Sequence, residues 1–301
     1  MLILEKRPSP SRFWQAATPV LAVLLTMVAG GAMFAILGTE PVAAIRTIFW
    51  DPLFGEFAWY LRGQLLVKAG PLILIAVGLS LGFRAGIWNI GAEGQYIMGA
   101  ICGAGVGLAF YPDGGWFVFP LMVMAGALGG WAWAMIPAVL KTRFNTNEIL
   151  VSLMLVYVAQ TILSKAATGF LRNPEGAGFP GSRNLSRWQP SANPELIAGT
   201  GMHWGVVAAF IAVIFAYILL SRHILGFQIR LAGQAPRAAR FAGVSPARLV
   251  VLCLGIAGAL AGMAGPLAVA GAGGARDAGL SPRRRAAPLP PRVVNEKLRP
   301  V

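Results

Sequence analysis

The chain has 301 residues, of which 56% are hydrophobic and only 12% are charged. Soluble domains carry about 25% charged residues, so this composition excludes a soluble enzyme. The high apolar content also excludes a disordered chain. The formal charge of +14 suits a nucleic-acid-binding surface, but in membrane proteins an excess of Lys and Arg marks the cytoplasmic loops. The positions of the loops therefore decide what this charge means.

Seven apolar segments predict an all-α, polytopic transmembrane helical bundle of about seven spans with no β domain. They cover residues 18–37, 65–83, 91–110, 116–140, 149–164, 204–220 and 249–270. Asn89, Glu93 and Gln95 interrupt the apolar pattern. A broken or re-entrant helix is therefore predicted near residues 85–100.

Basic residues concentrate in alternate connections. The N-terminal arm carries Lys6, Arg7 and Arg12, and residues 221–248 contain arginines and no acidic residue. By the positive-inside rule, the N-terminus and the 221–248 loop are cytoplasmic. The basic charge then indicates membrane topology, and no nucleic-acid partner is predicted.

The C-terminal stretch differs from the rest of the chain. Residues 1–270 form the predicted transmembrane domain, whereas residues 271–301 are rich in Arg, Pro, Ala and Gly and include Arg283, Arg284 and Arg285. With seven spans this basic tail would lie outside the cell, against the charge rule. Two explanations are open: a disordered tail, or a shifted reading frame in a GC-rich gene, which we favour.

The sequence predicts no cofactor and no metal site. It contains no Gly-Lys dipeptide and hence no Walker A motif. Cys102 and Cys253 lie in separate apolar segments, and His203 and His223 have no metal-binding spacing. A membrane-embedded enzyme would need a second catalytic group beside Glu93, and none is apparent.

Glu93 is the first candidate functional residue, because a carboxylate at membrane depth usually faces a cavity or a partner. Asn89 would share its helical face if this stretch is helical. Glu93 either lines a substrate path or belongs to a structural cluster that caps a broken helix, with Arg84 as its partner. Lys68 is expected to extend from the outer edge of its segment to the interface.

Residues 145–148 precede the fifth apolar segment. Asn145 and Glu148 have capping-box spacing, which predicts a helix N-terminus more strongly than substrate contact. Elsewhere, the pairs Gly99/Gly103, Gly103/Gly107, Gly126/Gly130 and Gly258/Gly262 have GxxxG spacing. This spacing favours close packing of helices within the chain, with a subunit interface as the alternative.

Residues 231–248 predict a short helix between two spans. Pro236 suits its first turn, and Gly243 suits a left-handed termination. Such a helix offers a docking surface for a cytosolic partner. The alternative is a plain loop held at the membrane by arginines.

Several strings occur in the order typical of one family. They are Gly86-Ile-Trp-Asn-Ile-Gly-Ala-Glu-Gly-Gln95, Asn147-Glu148-Ile149, Ala238-Ala-Arg-Phe-Ala-Gly243 and Gly258-Ala-Leu-Ala-Gly-Met-Ala-Gly265. Over about residues 10–270 the chain resembles permease subunits of ABC importers of the branched-chain amino acid and simple-sugar type, nearest the nucleoside/simple-sugar branch. Ala235 and Arg237 depart from residues common in that family.

The resemblance implies a pore subunit in the bacterial inner membrane that imports a nucleoside or simple sugar by alternating access. Its partners would be a cytosolic ATPase, a second permease and an extracytoplasmic solute-binding protein. The implied substrate pathway contains Asn89, Glu93, Gln95, Asn147 and Glu148. The implied ATPase-coupling loop contains Gly233, Arg237, Ala239, Arg240 and Gly243. The alternatives are an ion-coupled transporter that uses Glu93, or a truncated, inactive permease.

Overall fold

A computed structural model describes residues 11–175, 182–186, 188, 190–197 and 199–271. Its helices are α1 (Arg12–Ile36), α2 (Pro41–Ile45), a π-helical turn (Arg46–Trp50), α3 (Asp51–Phe54), α4 (Ala58–Arg84), α5 (Ala92–Ala109), α6 (Val118–Phe144), α7 (Glu148–Thr168), α8 (Trp204–Arg222), α9 (Ile224–Gln234), α10 (Pro236–Phe241) and α11 (Pro246–Val269). Two short strands, β1 (Glu195–Ile197) and β2 (Met202–His203), form an antiparallel pair. The predicted all-α architecture is confirmed. Lys6, Arg7 and the tail beyond Gly271 lie outside the described residues.

Six of the described helices are long and apolar enough to cross a membrane: α1, α4, α6, α7, α8 and α11. The remaining predicted segment is α5, which has 18 residues and begins with polar side chains. The predicted interruption near residues 85–100 is shorter in the structure, because α5 runs unbroken from Ala92 to Ala109. Residues 85–91 between α4 and α5 are not helical, and Gly86 has a φ of 74°, a conformation that glycine adopts without strain.

The described residues up to Gly63 form one compact unit, and those from Gln64 to Gly271 form a second. In the first unit, α1 has apolar side chains that are almost all exposed. α2 packs against α1 where Ile45 approaches Gly31. The Arg62 Nε donates a 2.8 Å hydrogen bond to the Leu53 carbonyl. An apolar helix exposed in this way is suited to contact with lipid.

The centre of the second unit is formed by α5, α6 and α11, whose backbones approach closely at glycines. A Cβ atom added at Gly130 would lie 2.8 Å from the Gly262 nitrogen, and one at Gly99 would lie 2.6 Å from the Gly262 carbonyl carbon. Pro266 fills the space beside Gly103 and Gly126. The GxxxG pairs therefore pack helices within the chain, as expected.

The remaining long helices of this unit surround these three. Leu74 of α4 is buried with Ala209 of α8 and Ala264 of α11. α7 covers the start of α5, because a Cβ at Gly91 would lie 2.8 Å from the Ser152 Cβ. The Ser152 hydroxyl also accepts a 3.2 Å hydrogen bond from the Ile90 backbone. The break between α4 and α5 is thus held by α7.

The connection between α6 and α7 corrects one prediction. Asn145 is not the N-cap of α7: it has a φ of 51° and ends α6 in the left-handed conformation. The N-cap is Asn147, whose side chain accepts a 3.0 Å hydrogen bond from the Ile149 nitrogen. Asparagine tolerates both positions, so the chain ends one helix and begins the next within three residues.

Polar contacts tie the strand pair to the end of α11. The His203 Nδ1 accepts a hydrogen bond from the Gly205 backbone at 3.1 Å, so it carries no proton. The Asn193 amide nitrogen lies 2.9 Å from the same atom and 3.4 Å from the Leu267 carbonyl oxygen. Burial lowers the pKa of His203 and favours its neutral form.

Candidate functional site: a charged cavity and a short helix

Two of the predicted pathway residues form a buried pair. The Asn89 amide nitrogen donates a 3.0 Å hydrogen bond to the Gln95 carbonyl oxygen. The Gln95 amide nitrogen lies 3.3 Å from the Asn89 carbonyl oxygen, which also accepts from the Gly91 nitrogen. Both side chains are at most 3% exposed. This pair joins the end of the break to the first turn of α5 and has a structural role in this conformation.

Glu93, in contrast, is exposed, and it projects from the first turn of α5. The Gln160 amide nitrogen of α7 donates a 3.1 Å hydrogen bond to its Oε1. No ion pair between Glu93 and Arg84 occurs among the described residues, so the proposed Arg84 partner is replaced by Gln160. Asn89 precedes the helix and does not share a helical face with Glu93.

Glu93 lines a cavity of about 550 Å³ between α4, α5 and α11. Lys68 and Tyr96 supply the other polar groups, and the remaining lining residues are Val67, Pro71, Leu72, Ile75 and Ala268. The structure extends α4 upstream of the predicted apolar segment, which began at residue 65. α4 begins at Ala58, so Lys68 lies ten residues, about 15 Å, along the helix. The polar residues upstream of residue 65 concealed this start.

Asn147 and Glu148 lie at the start of α7, where both have local partners. Asn147 caps the helix, and Glu148 forms a 2.9 Å ion pair with Lys141 near the end of α6. Neither residue is among those that line the 550 Å³ cavity. The structure therefore places Glu93 at this cavity and Asn147 and Glu148 elsewhere.

The predicted short helix is present as α10. Pro236 occupies its first turn, and Gly243, with a φ of 77°, follows its end. Ala239 is buried, whereas Arg237 and Arg240 are exposed. Phe241 is 94% exposed. Arg237, Arg240 and Phe241 therefore leave two guanidinium groups and an aromatic ring exposed on α10.

α10 packs against the break between α4 and α5. Ala239 and Val244 share a buried cluster with Ile87. A groove of about 170 Å³ beside them is lined by Ile87, Pro236, Ala239, Arg240 and six further residues. Gly233, at the end of α9, lies directly against the Arg84 carbonyl group. The 86–95 string and the 238–243 string thus meet at one end of the bundle.

A polytopic helical bundle with a charged cavity and a short exposed helix at one end is typical of membrane transport subunits. The chain belongs to the family described as "Branched-chain amino acid transport system / permease component", which it matches over residues 61–281. It is a multi-pass membrane permease component and not an enzyme. The ATPase and the solute-binding protein of such a transporter are separate subunits.

Three characterised relatives extend this assignment. The chain is 32% identical to the glucose ABC transporter permease protein of Haloferax volcanii, over 93% of this chain and 75% of that protein. It is 29% identical to the guanosine ABC transporter permease protein of Bacillus subtilis, over 83% of this chain and 70% of that protein. It is 26% identical to the nucleoside ABC transporter permease protein of Lactococcus lactis, over 82% of this chain and 68% of that protein. No solved structure matches significantly.

Proposed function

We propose that the chain imports a nucleoside or simple-sugar solute across the bacterial inner membrane by alternating access, driven by ATP hydrolysis on a separate ATPase. The observation that supports this proposal is that α10 has exposed side chains on one side and packs on the other against residues 85–91, which precede Glu93. The relatives transport glucose, guanosine and nucleosides by name. They belong to ABC transporters, which favours this function over ion-coupled transport.

Charge supports a cytoplasmic N-terminus and a cytoplasmic α10. Arg84 ends α4, Lys141 and Arg143 lie in the last turn of α6, and Arg222 ends α8. Gly233 contacts Arg84, so α9 and the end of α4 share one end of the bundle. The positive-inside rule assigns this end to the cytoplasm.

In this proposal α10 receives the ATPase. Arg237, Arg240 and Phe241 present two guanidinium groups and an aromatic ring, which are side chains enriched at protein interfaces. Ala239 faces inward and contacts the cluster that includes Ile87. A movement of the ATPase would reach residues 85–91 through these contacts, and then the Asn89–Gln95 pair and Glu93. Gly233 and Gly243 permit the close approach and the turn that hold α10 in place.

A second permease and an extracytoplasmic binding protein complete the proposed complex. In the substrate pathway Glu93 contacts the solute, and Asn89 and Gln95 hold the start of α5. Asn147 and Glu148 are proposed at the cytoplasmic end of the pathway, at the beginning of α7.

Co-purification tests the coupling surface. The double variant Arg237→Glu/Arg240→Glu should lose the ATPase from the purified complex, because it reverses both charges on α10. Arg222→Glu makes the same kind of change at the exposed end of α8 and should retain the ATPase. Retention of the ATPase by the double variant would refute the assignment of α10.

A further inference from the structure

The 550 Å³ cavity holds one basic and one acidic side chain on different helices. Lys68 projects from α4 and Glu93 from α5, and Tyr96 lies one turn beyond Glu93. Among the described residues, Lys68 makes no ion pair, and Glu93 accepts only a neutral amide hydrogen bond from Gln160. A charged side chain within a span, such as Lys68 on α4, usually faces a substrate or ion pathway. The two groups are thus available to a solute.

The balance of charge and apolar surface restricts the solute. A cavity with one cation and one anion offers no net attraction to a charged solute. Five of the eight lining residues are apolar (Val67, Pro71, Leu72, Ile75 and Ala268). Each solute hydroxyl buried against such a wall without a partner costs about 1–3 kcal/mol. A group with hydroxyls on every side, such as a hexose or the ribose of a nucleoside, therefore suits this apolar wall poorly, whereas a flat ring with one polar edge suits it better.

Tyr96 adds an aromatic ring beside the charged pair. A planar solute can stack on this ring while its edge meets Lys68 and Glu93. Lys68 donates hydrogen bonds only, and ionised Glu93 accepts them only. The matching edge has a carbonyl or ring-nitrogen acceptor next to an N–H donor. A 6-oxopurine has this pattern: O6 and N7 are acceptors, and the ring N1–H, which is bonded to the carbonyl carbon, is a donor next to O6.

We infer that this cavity binds a nucleoside through its base, with Lys68 donating to the base carbonyl, Glu93 accepting from the base N–H and Tyr96 stacking on the ring. The inference rests on the proposed transport function and selects nucleosides over simple sugars. Lys68 and Tyr96 become specificity-determining residues, in addition to Glu93.

Protection of an introduced cysteine tests the inference on the full chain in lipid nanodiscs. Cys102 and Cys253 are replaced by Ser and Ala, and Leu72→Cys places one thiol in the cavity. We expect millimolar inosine to slow modification of this thiol by a water-soluble thiosulfonate about tenfold. The Lys68→Gln change should remove the protection. Glucose and leucine, tested as separate probes, should protect much less.

A second thiol provides the control. Ala192→Cys lies in a different cavity, of about 790 Å³, and inosine should not protect it. In the Lys68→Gln background, an unchanged rate at Ala192→Cys shows that the fold is intact. Equal or greater protection by glucose or leucine, or no protection by inosine, overturns the inference. The assay needs no ATPase, so its failure is distinct from failure of ATPase docking on α10.

Discussion

The close approach of α5 to α11 makes Gly99 the position where one added methyl group should disturb the bundle most directly. A Cβ at Gly99 would lie 2.6 Å from the Gly262 carbonyl carbon and nearer still to the Gly262 Cα and oxygen. Favourable carbon–carbon contacts are about 3.5–4.0 Å. The obstructing atoms are backbone, so relief requires the helices to separate. Overpacking of this kind costs about 1–3 kcal/mol.

Gly105 provides a matched control on the same helix. A Cβ there meets no atom within 4 Å. Both Gly→Ala changes gain the same helix propensity, about 1 kcal/mol, so the difference between the two variants isolates the steric cost. We expect Gly99→Ala to be less stable than Gly105→Ala by about 1–3 kcal/mol. Unfolding by SDS in mixed micelles, followed by circular dichroism, measures this difference. Equal stability of the two variants would refute the packing of α5 on α11.

Three further predictions concern polar side chains. Gln95→Leu leaves the buried Asn89 amide without its hydrogen-bond partner. This change should lower the free energy of unfolding by about 1–3 kcal/mol in the same micelle assay. An unchanged value would show that the Asn89–Gln95 pair does not stabilise the break. Because burial lowers the pKa of His203, the unfolded state binds a proton that the folded state does not, so stability should fall as pH drops below about 6.5. Thermal unfolding at several pH values should show a smaller fall for His203→Gln, and identical profiles would contradict this role. The 2.9 Å ion pair of Lys141 and Glu148 is partly exposed. Lys141→Met should therefore change the free energy of unfolding by less than about 1 kcal/mol. A larger loss would indicate a further role for this pair.

Local chemistry allowed some elements to be predicted from the sequence. Polar residues in an apolar segment indicated the break, which the structure places at residues 85–91. Pro236 and Gly243 bracketed α10 because proline and glycine have strong positional preferences at helix ends. These signals lie within a few residues of the feature that they determine.

Features that depend on tertiary contacts were not predictable in this way. The contact between Asn89 and Gln95 does not follow from helical spacing, because Asn89 lies in the break before α5. The partnership of Glu93 and Gln160 joins residues 67 positions apart. Hydropathy placed the start of the second segment at residue 65, whereas α4 begins at Ala58, because the first turns of the helix contain polar residues.

The proposed function requires the chain to couple solute movement to an ATPase bound at α10. Solute uptake into proteoliposomes that contain the purified complex measures this coupling. We expect uptake that requires ATP, persists without an ion gradient and is lost in Phe241→Asp, because the 94% exposed ring of Phe241 would no longer contact the ATPase. Uptake that follows a proton gradient without ATP and is unchanged in Phe241→Asp would refute the proposed function.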